Sequence, residues 1–316
     1  MNDVNPQPVD AAIVPRFGSI PTFMRLPYRP DPTGLDIGLV GVPWDGGTTN
    51  RAGARHGPRE IRNMSSFMRK VHHVSRIAPY QLAKVADIGD APVNPIDLMD
   101  SLRRIEAFFA QIHAKGVLPI SAGGDHLITL PIFRAIAKQR PIGMIHVDAH
   151  SDTNDRYFGD NLYTHGTPFR RAVEDKLLDT RRCIQIGLRA TGYAADDFDW
   201  PRQQGFRVVQ AEECWHKSLT PLMDEVRRHM GKGPVYLSFD IDSLDPAFAP
   251  GTGTPEIGGL TTIQGLEIIR GAQGLDLVGC DLVEVSPPYD PSGNTALTGA
   301  NLLFEMLCVL PGVKRR

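Results

Sequence analysis

IGMIHVDAHSD, residues 142–152, decides how this 316-residue chain is read. An apolar run stops abruptly at three residues able to bind a metal, Asp148, His150 and Asp152. Side chains two apart on an extended segment point the same way, so a tip that stays extended presents carboxylate, imidazole and carboxylate on one face. A buried strand gains nothing from such a face unless a cation sits against it, because unpaired buried charge is costly. Two other stretches repeat the pattern. Residues 235–242, VYLSFDID, end in Asp240 and Asp242, and residues 117–126, VLPISAGGDH, deliver His126 just past a Gly-Gly turn. Three apolar strands ending in ligands predict a metal site at the carboxyl edge of a sheet.

Outward from these strands, the chain alternates. Further strands are expected at 35–43, 84–89, 183–188, 206–209 and 275–285. Helices are expected from Pro58, over 95–114 with Asn94 as cap, through LITLPIFRAIAK, and over 168–178, 219–230, 261–272 and 295–310. Eight strands alternating with helices mean a mostly parallel sheet covered on both faces, in one domain. An open sheet and a closed barrel both place their sites at strand carboxyl ends, so the pattern alone leaves closure undecided. Residues 1–35, rich in proline, are expected to form an irregular arm on the body or on a neighbouring subunit.

The bulk numbers narrow the function. A net charge of −2 argues against nucleic acid or an anionic membrane as partner. The four cysteines form no CxxC pair, so neither a disulfide framework nor a zinc knuckle is expected. No signal peptide and no apolar run of about 18 residues is visible, and a cytoplasmic enzyme is the expectation. The ligand set is His126, Asp148, His150, Asp152, Asp240 and Asp242. Two imidazoles and four carboxylates exceed the needs of one tetrahedral zinc but suit two dications sharing carboxylates. Oxygen-rich donors without thiolate favour manganese over zinc.

GGDH, DAHSD, SFDID followed by DPAFAPGTGTPE, and VEVSPPYD together resemble the ureohydrolase superfamily of arginases and agmatinases, nearest its guanidinopropionase and guanidinobutyrase branch. The resemblance implies an open three-layer α/β/α fold with an eight-stranded parallel sheet, and a catalytic domain over 36–316. It implies two Mn2+ ions per chain and hydrolysis of a guanidinium to urea and an amine. His126, Asp148, Asp152 and Asp240 would hold one ion, and Asp148, His150, Asp240 and Asp242 the other. Asp152 would pass a proton to the leaving amine, Glu284 would bind the guanidinium, and His165 in YTHGT would shuttle protons. A homo-oligomer, commonly a hexamer, is implied as well.

The substrate is expected from the loop TNDRYFGDNLYTHG. Asn154 falls where the family places a polar substrate contact. Tyr157, if it faces the pocket rather than packing within its loop, shortens the space and can donate a hydrogen bond to a carboxylate. That favours a short ω-guanidino acid: 3-guanidinopropionate first, giving β-alanine and urea, then 4-guanidinobutyrate, then agmatine. Arg51, Arg156 and Arg189 are candidates to add positive charge for the carboxylate, each equally readable as a solvated or structural arginine. Other residues receive plainer expectations: His146 a core histidine, Asp125 a partner supporting His126, Asp245 a turn residue, GTGTPEIGG a wall of the site, His72 and His73 an exposed pair, His56 near the mouth. A single-zinc amide hydrolase of the deacetylase type needs neither six ligands nor Glu284. A non-catalytic partner subunit of the same fold would normally have lost a ligand, and none is missing.

Overall fold

The structure, a computed structural model, describes residues 5–189 and 191–313. Eight strands, β1 (Ile37–Gly41), β2 (Val85–Asp90), β3 (Leu118–Ala122), β4 (Ile142–Val147), β5 (Leu178–Leu188), β6 (Arg207–Gln210), β7 (Pro234–Asp240) and β8 (Asp276–Val283), form one parallel sheet. Their order is β2-β1-β3-β8-β7-β4-β5-β6, with β2 and β6 as edges, so the sheet is open. The helices are α1 (Gly57–Met64), α2 (Pro79–Leu82), α3 (Leu98–Ala114), α4 (Thr129–Ile136), α5 (Pro168–Glu174), α6 (Asp199–Gln204), α7 (Thr220–Met230), α8 (Thr262–Gly271) and α9 (Asn294–Val309).

Alternation along each strand builds two cores. On β4, Ile145 and Val147 join the core that includes Ile61 of α1, Val226 of α7, Ile268 of α8 and Leu303 of α9. Ile142 and Met144 face the other core, with Phe109 of α3, Phe133 of α4 and Phe169 of α5. Each strand therefore buries both faces, which is why its sequence is apolar nearly throughout. The central strands β3, β8, β7 and β4 are contiguous, and their carboxyl ends carry all the candidate ligands and Glu284. No helix among the described residues is long and apolar enough to cross a membrane.

Several expectations are corrected. Helix α3 begins at Leu98, capped by Asp97, whose carboxylate accepts from the Asp100 N–H at 2.8 Å, and not by Asn94. Asn94 instead closes the preceding turn, accepting at its carbonyl from Asp97 N. Helix α5 stops at Glu174, because Lys176 turns the chain at a φ of 59° into a strand β5 that is longer than expected. His72 is buried rather than exposed: its Nε2 lies 2.9 Å from Glu305 of α9, a buried carboxylate that also takes two hydrogen bonds from Arg270. His73 and His56 are exposed, and His56 does not reach the site. The arm lies on the body over residues 22–29, where Phe23, Met24 and Leu26 are buried and the Arg62 guanidinium stacks on Phe23.

Candidate metal centre

The candidate ligand residues do not stand on an extended strand. β4 ends at Val147, and the carboxylate of Asp148 folds the chain back by accepting the His150 N–H at 2.7 Å. The same device follows β7, where Asp240 accepts the Asp242 N–H at 2.8 Å. Asp152 completes the first turn with a φ of 51°, a conformation that few residues other than glycine, asparagine and aspartate tolerate. Two aspartate-centred turns thus do what strand parity was expected to do.

The turns bring the charged groups together around His126. Its Nδ1 lies 3.0 Å from Asp148, 3.0 Å from Asp152 and 3.2 Å from Asp240, yet makes no hydrogen bond. Nε2 explains why. It lies 2.8 Å from the Ser238 hydroxyl, which itself donates to Asp281, so Nε2 carries the proton and Nδ1 turns a bare lone pair toward three carboxylates. A second nest adjoins the first: His150 Nδ1 is 3.4 Å from Asp148 and 3.2 Å from Asp242. Asp148 belongs to both groups.

Burial and mutual repulsion raise Asp240 well above the usual carboxylate range, with Asp242 and Asp148 the repelling charges, and Asp242 is raised as well. Burial opposes ionisation of Asp148 too, but the adjacent histidines outweigh it and hold that group low. His126 is raised against its own burial by Asp148, Asp152 and Asp240. These opposed directions express one fact: the nest has more anions than its own cations can balance. Bare imidazole nitrogen, converging carboxylates and excess negative charge are what a divalent cation fits.

The supporting residues are partly new. Ser238 and Asp281 escaped the sequence reading, although Ser238 stands two residues before Asp240 in SFDID and parity was the available signal. Asp125 does not touch the His126 ring; it accepts the Gly47 and Leu127 N–H groups and so caps the turn carrying His126. His146 is a core histidine as expected, with Nε2 2.8 Å from Asp148 and Nδ1 2.9 Å from the Gln185 amide. Asp245 accepts the Ala247, Gly258 and Gly259 N–H groups and holds the GTGTPEIGG wall.

Glu284 follows β8 at a φ of 64°. Its Oε1 accepts from the His126 main chain at 2.9 Å and pairs with His165 Nδ1 at 2.9 Å, while Oε2 is buried without a partner. On His165, burial works against the charged form, but Glu284 outweighs it and pushes the imidazole up to about 9. The Thr49 N–H points at His165 Nε2 from 3.1 Å, however, and a main-chain donor needs a bare nitrogen there. That fixed donor decides the state in this geometry: neutral, with Nδ1 donating to Glu284 and Nε2 accepting.

Above the nests lies a cavity of about 630 Å³, lined among others by His150, Asp152, His165, Asn154 and Tyr157. Asn154 donates to the Tyr157 hydroxyl at 2.8 Å. Of the three arginines considered for a carboxylate, none stands free. Arg156 is exposed and paired with Asp155 and Asp160. Arg51 lines the cavity but donates to the Thr252 and Gly253 carbonyls and stacks on Tyr289.

Arg189 is buried and donates to the carbonyls of Gly187, Asp242, Ser243, Leu244, Glu256 and Ile257. It is a clamp across the Asp242 turn and the Glu256 loop. Arg189→Met is therefore expected to destabilise the fold by about 3 kcal/mol or more, each orphaned buried carbonyl costing about 1–3 kcal/mol. Metal titration of the folded variant should show weakened binding at the His150–Asp242 nest before the His126 nest. Equal weakening at both would contradict the clamp.

Comparison with known proteins agrees with this geometry. The arginase family model matches residues 35–308. The chain is 66% identical to a guanidinopropionase of Pseudomonas aeruginosa and 62% identical to a guanidinobutyrase of the same organism, each alignment covering 98% of both chains. The solved proclavaminate amidino hydrolase of Streptomyces clavuligerus superposes with a TM-score of 0.88 at 40% identity, covering 93% of this chain and 99% of that one. The open eight-stranded sheet, the two aspartate-rich turns at its carboxyl edge and a family match from the first strand into the last helix agree: the chain belongs to the arginase family.

Proposed function

We propose that this protein hydrolyses a short ω-guanidino acid, 3-guanidinopropionate foremost, to β-alanine and urea, with 4-guanidinobutyrate as the next best substrate and agmatine after it. The names of the two Pseudomonas aeruginosa relatives support this substrate class. The observation that carries it is Glu284, whose Oε2 is buried and uncommitted while its Oε1 holds the cavity-lining His165. A buried carboxylate oxygen without a donor is costly, and a planar guanidinium supplies the missing donors.

Two Mn2+ ions are proposed, one held by His126, Asp148, Asp152 and Asp240, the other by Asp148, His150, Asp240 and Asp242. When bound, they supply Lewis acidity and an ionised water as nucleophile. Glu284 orients the guanidinium carbon toward the nests. Asp152, at the cavity floor, passes a proton to the leaving amine. His165, held between Glu284 at Nδ1 and Thr49 at Nε2 in the cavity wall, is the group that shuttles protons between the site and solvent. Tyr157 meets the carboxylate: its hydroxyl accepts from Asn154 and turns its own proton from Tyr193 to the substrate, and burial with the charge of Asp152 keeps that proton on. Residues 36–316 form the catalytic domain and 1–35 an arm, in a cytoplasmic homo-oligomer, a hexamer by family resemblance.

Urea release from the manganese-loaded protein tests this. With 3-guanidinopropionate, 4-guanidinobutyrate, agmatine and arginine assayed separately, the three-carbon acid is expected to dominate. Dominance of agmatine or arginine would overturn the carboxylate assignment and leave the reaction standing. No urea from any, with two ions bound, would point to the non-catalytic subunit.

A further inference from the structure

We infer that Gly166 is a specificity-determining position, because its bare Cα is what seats the Tyr157 phenol in the cavity wall. A Cβ at Gly166 would lie 2.7 Å from the Tyr157 hydroxyl, 3.0 Å from Cε2 and 3.1 Å from Cζ, and these are its three nearest neighbours. Real Cβ contacts are not that short, so ring and methyl cannot both occupy their places. The conflict is confined to the tyrosine: Gly166 has no left-handed φ, and alanine suits its backbone.

The seat is built from both sides of the loop. The Asn154 N–H donates to the Gly166 carbonyl at 3.1 Å, and the Asn154 side chain donates to the Tyr157 hydroxyl. Asn154 thereby ties the tyrosine to the strand of loop that follows His165. On its other side the ring meets the edge of Tyr193 at 5.8 Å between centroids and the ring of Phe158 at 6.1 Å, and both neighbours are exposed, Tyr193 at 83% and Phe158 at 74%. The Gly166 wall is fixed and the Tyr193 side yields. A methyl at 166 therefore drives the phenol outward, breaks its bond to Asn154 and removes the hydroxyl from the place where a short acid ends.

This inference rests on the proposed hydrolysis of guanidino acids, and the experiment separates the two. Urea release is measured for wild type, Gly166→Ala, Tyr157→Ala and the double variant, with 3-guanidinopropionate, 4-guanidinobutyrate and propylguanidine, a cation that lacks the carboxylate. Gly166→Ala is expected to raise KM for the three-carbon acid about 10–100-fold, the worth of a hydrogen bond to a charged group. It should affect 4-guanidinobutyrate less and propylguanidine not at all. In the Tyr157→Ala background the glycine substitution should add nothing, since the clash is gone. Wild-type selectivity in Gly166→Ala, or a separate penalty on top of Tyr157→Ala, would overturn the inference. Should Gly166→Ala fail to fold, Tyr157→Ala must restore it; no restoration also overturns it. No urea from any acid with the wild type would instead sink the hydrolysis itself.

Discussion

Asp148→Asn is expected to abolish binding of both metal ions and to lower urea release by about 10³-fold or more, the scale of losing a central electrostatic element of a site. The side chain keeps its shape and loses only its charge and one acceptor oxygen. Asp148 is the residue common to the two nests, 3.0 Å from His126 Nδ1 and 3.4 Å from His150 Nδ1 through different oxygens. An amide there presents N–H groups toward one nest whichever way it turns, so at least one imidazole lone pair faces a donor instead of an anion. Metal content and urea release are measured together, with Asp242→Asn beside it, which touches only the His150 nest. The expected result is two ions lost in the first case and one in the second. Stability gives an independent readout: adding Mn2+ at a thousandfold excess over its dissociation constant stabilises a folded protein by about 4 kcal/mol per site. Stripped wild type should recover that on reloading and Asp148→Asn should not. Two retained ions in Asp148→Asn would remove Asp148 from the centre of the site.

That these candidate ligands would converge was legible in the sequence, while their geometry was not. Three apolar runs ending in His126, in Asp148 to Asp152 and in Asp240 to Asp242 announced a site at the carboxyl edge, because buried charge needs a reason. Strand parity supplied the wrong picture of how they meet, since an aspartate that ends a strand can bend the chain onto its own carboxylate, as Asp148 and Asp240 do. Sheet closure was equally invisible: strand order depends on which crossovers pack where, and β8 falls between β3 and β7 although it comes last in the chain. Partners far apart in sequence were the hardest to read. Ser238 and Asp281 orient His126 across 112 and 155 positions, and Glu305 buries His72 across 233, so neither pairing leaves a local pattern. Arg189 was readable two ways. An arginine beside a site reads equally as a substrate contact or as structure, and burial with six carbonyl partners makes this one part of the frame.

Glu284→Gln is expected to leave the fold and both metal ions in place while lowering kcat/KM by two to three and a half orders of magnitude, the equivalent of about 3–5 kcal/mol for breaking a buried ion pair. The reason lies in how its two oxygens are used. Oε1 accepts from the His126 main chain and from His165 Nδ1, and a glutamine carbonyl placed there accepts both equally well. Oε2 has no partner among the described residues, so the glutamine amide falls where the proposed site receives the guanidinium. Two N–H groups then face each other, and the loss is both of charge and of an acceptor. Because the protein contacts survive, thermal unfolding and metal content should match wild type, which separates guanidinium binding from any structural role. Glu284→Ala makes the contrast: it strips the His126 N–H and His165 of their acceptor, so metal affinity and stability should fall along with activity. Activity within tenfold of wild type in Glu284→Gln would contradict guanidinium binding at Oε2. Loss of metal in that variant would show instead that Glu284 acts through the position of His126.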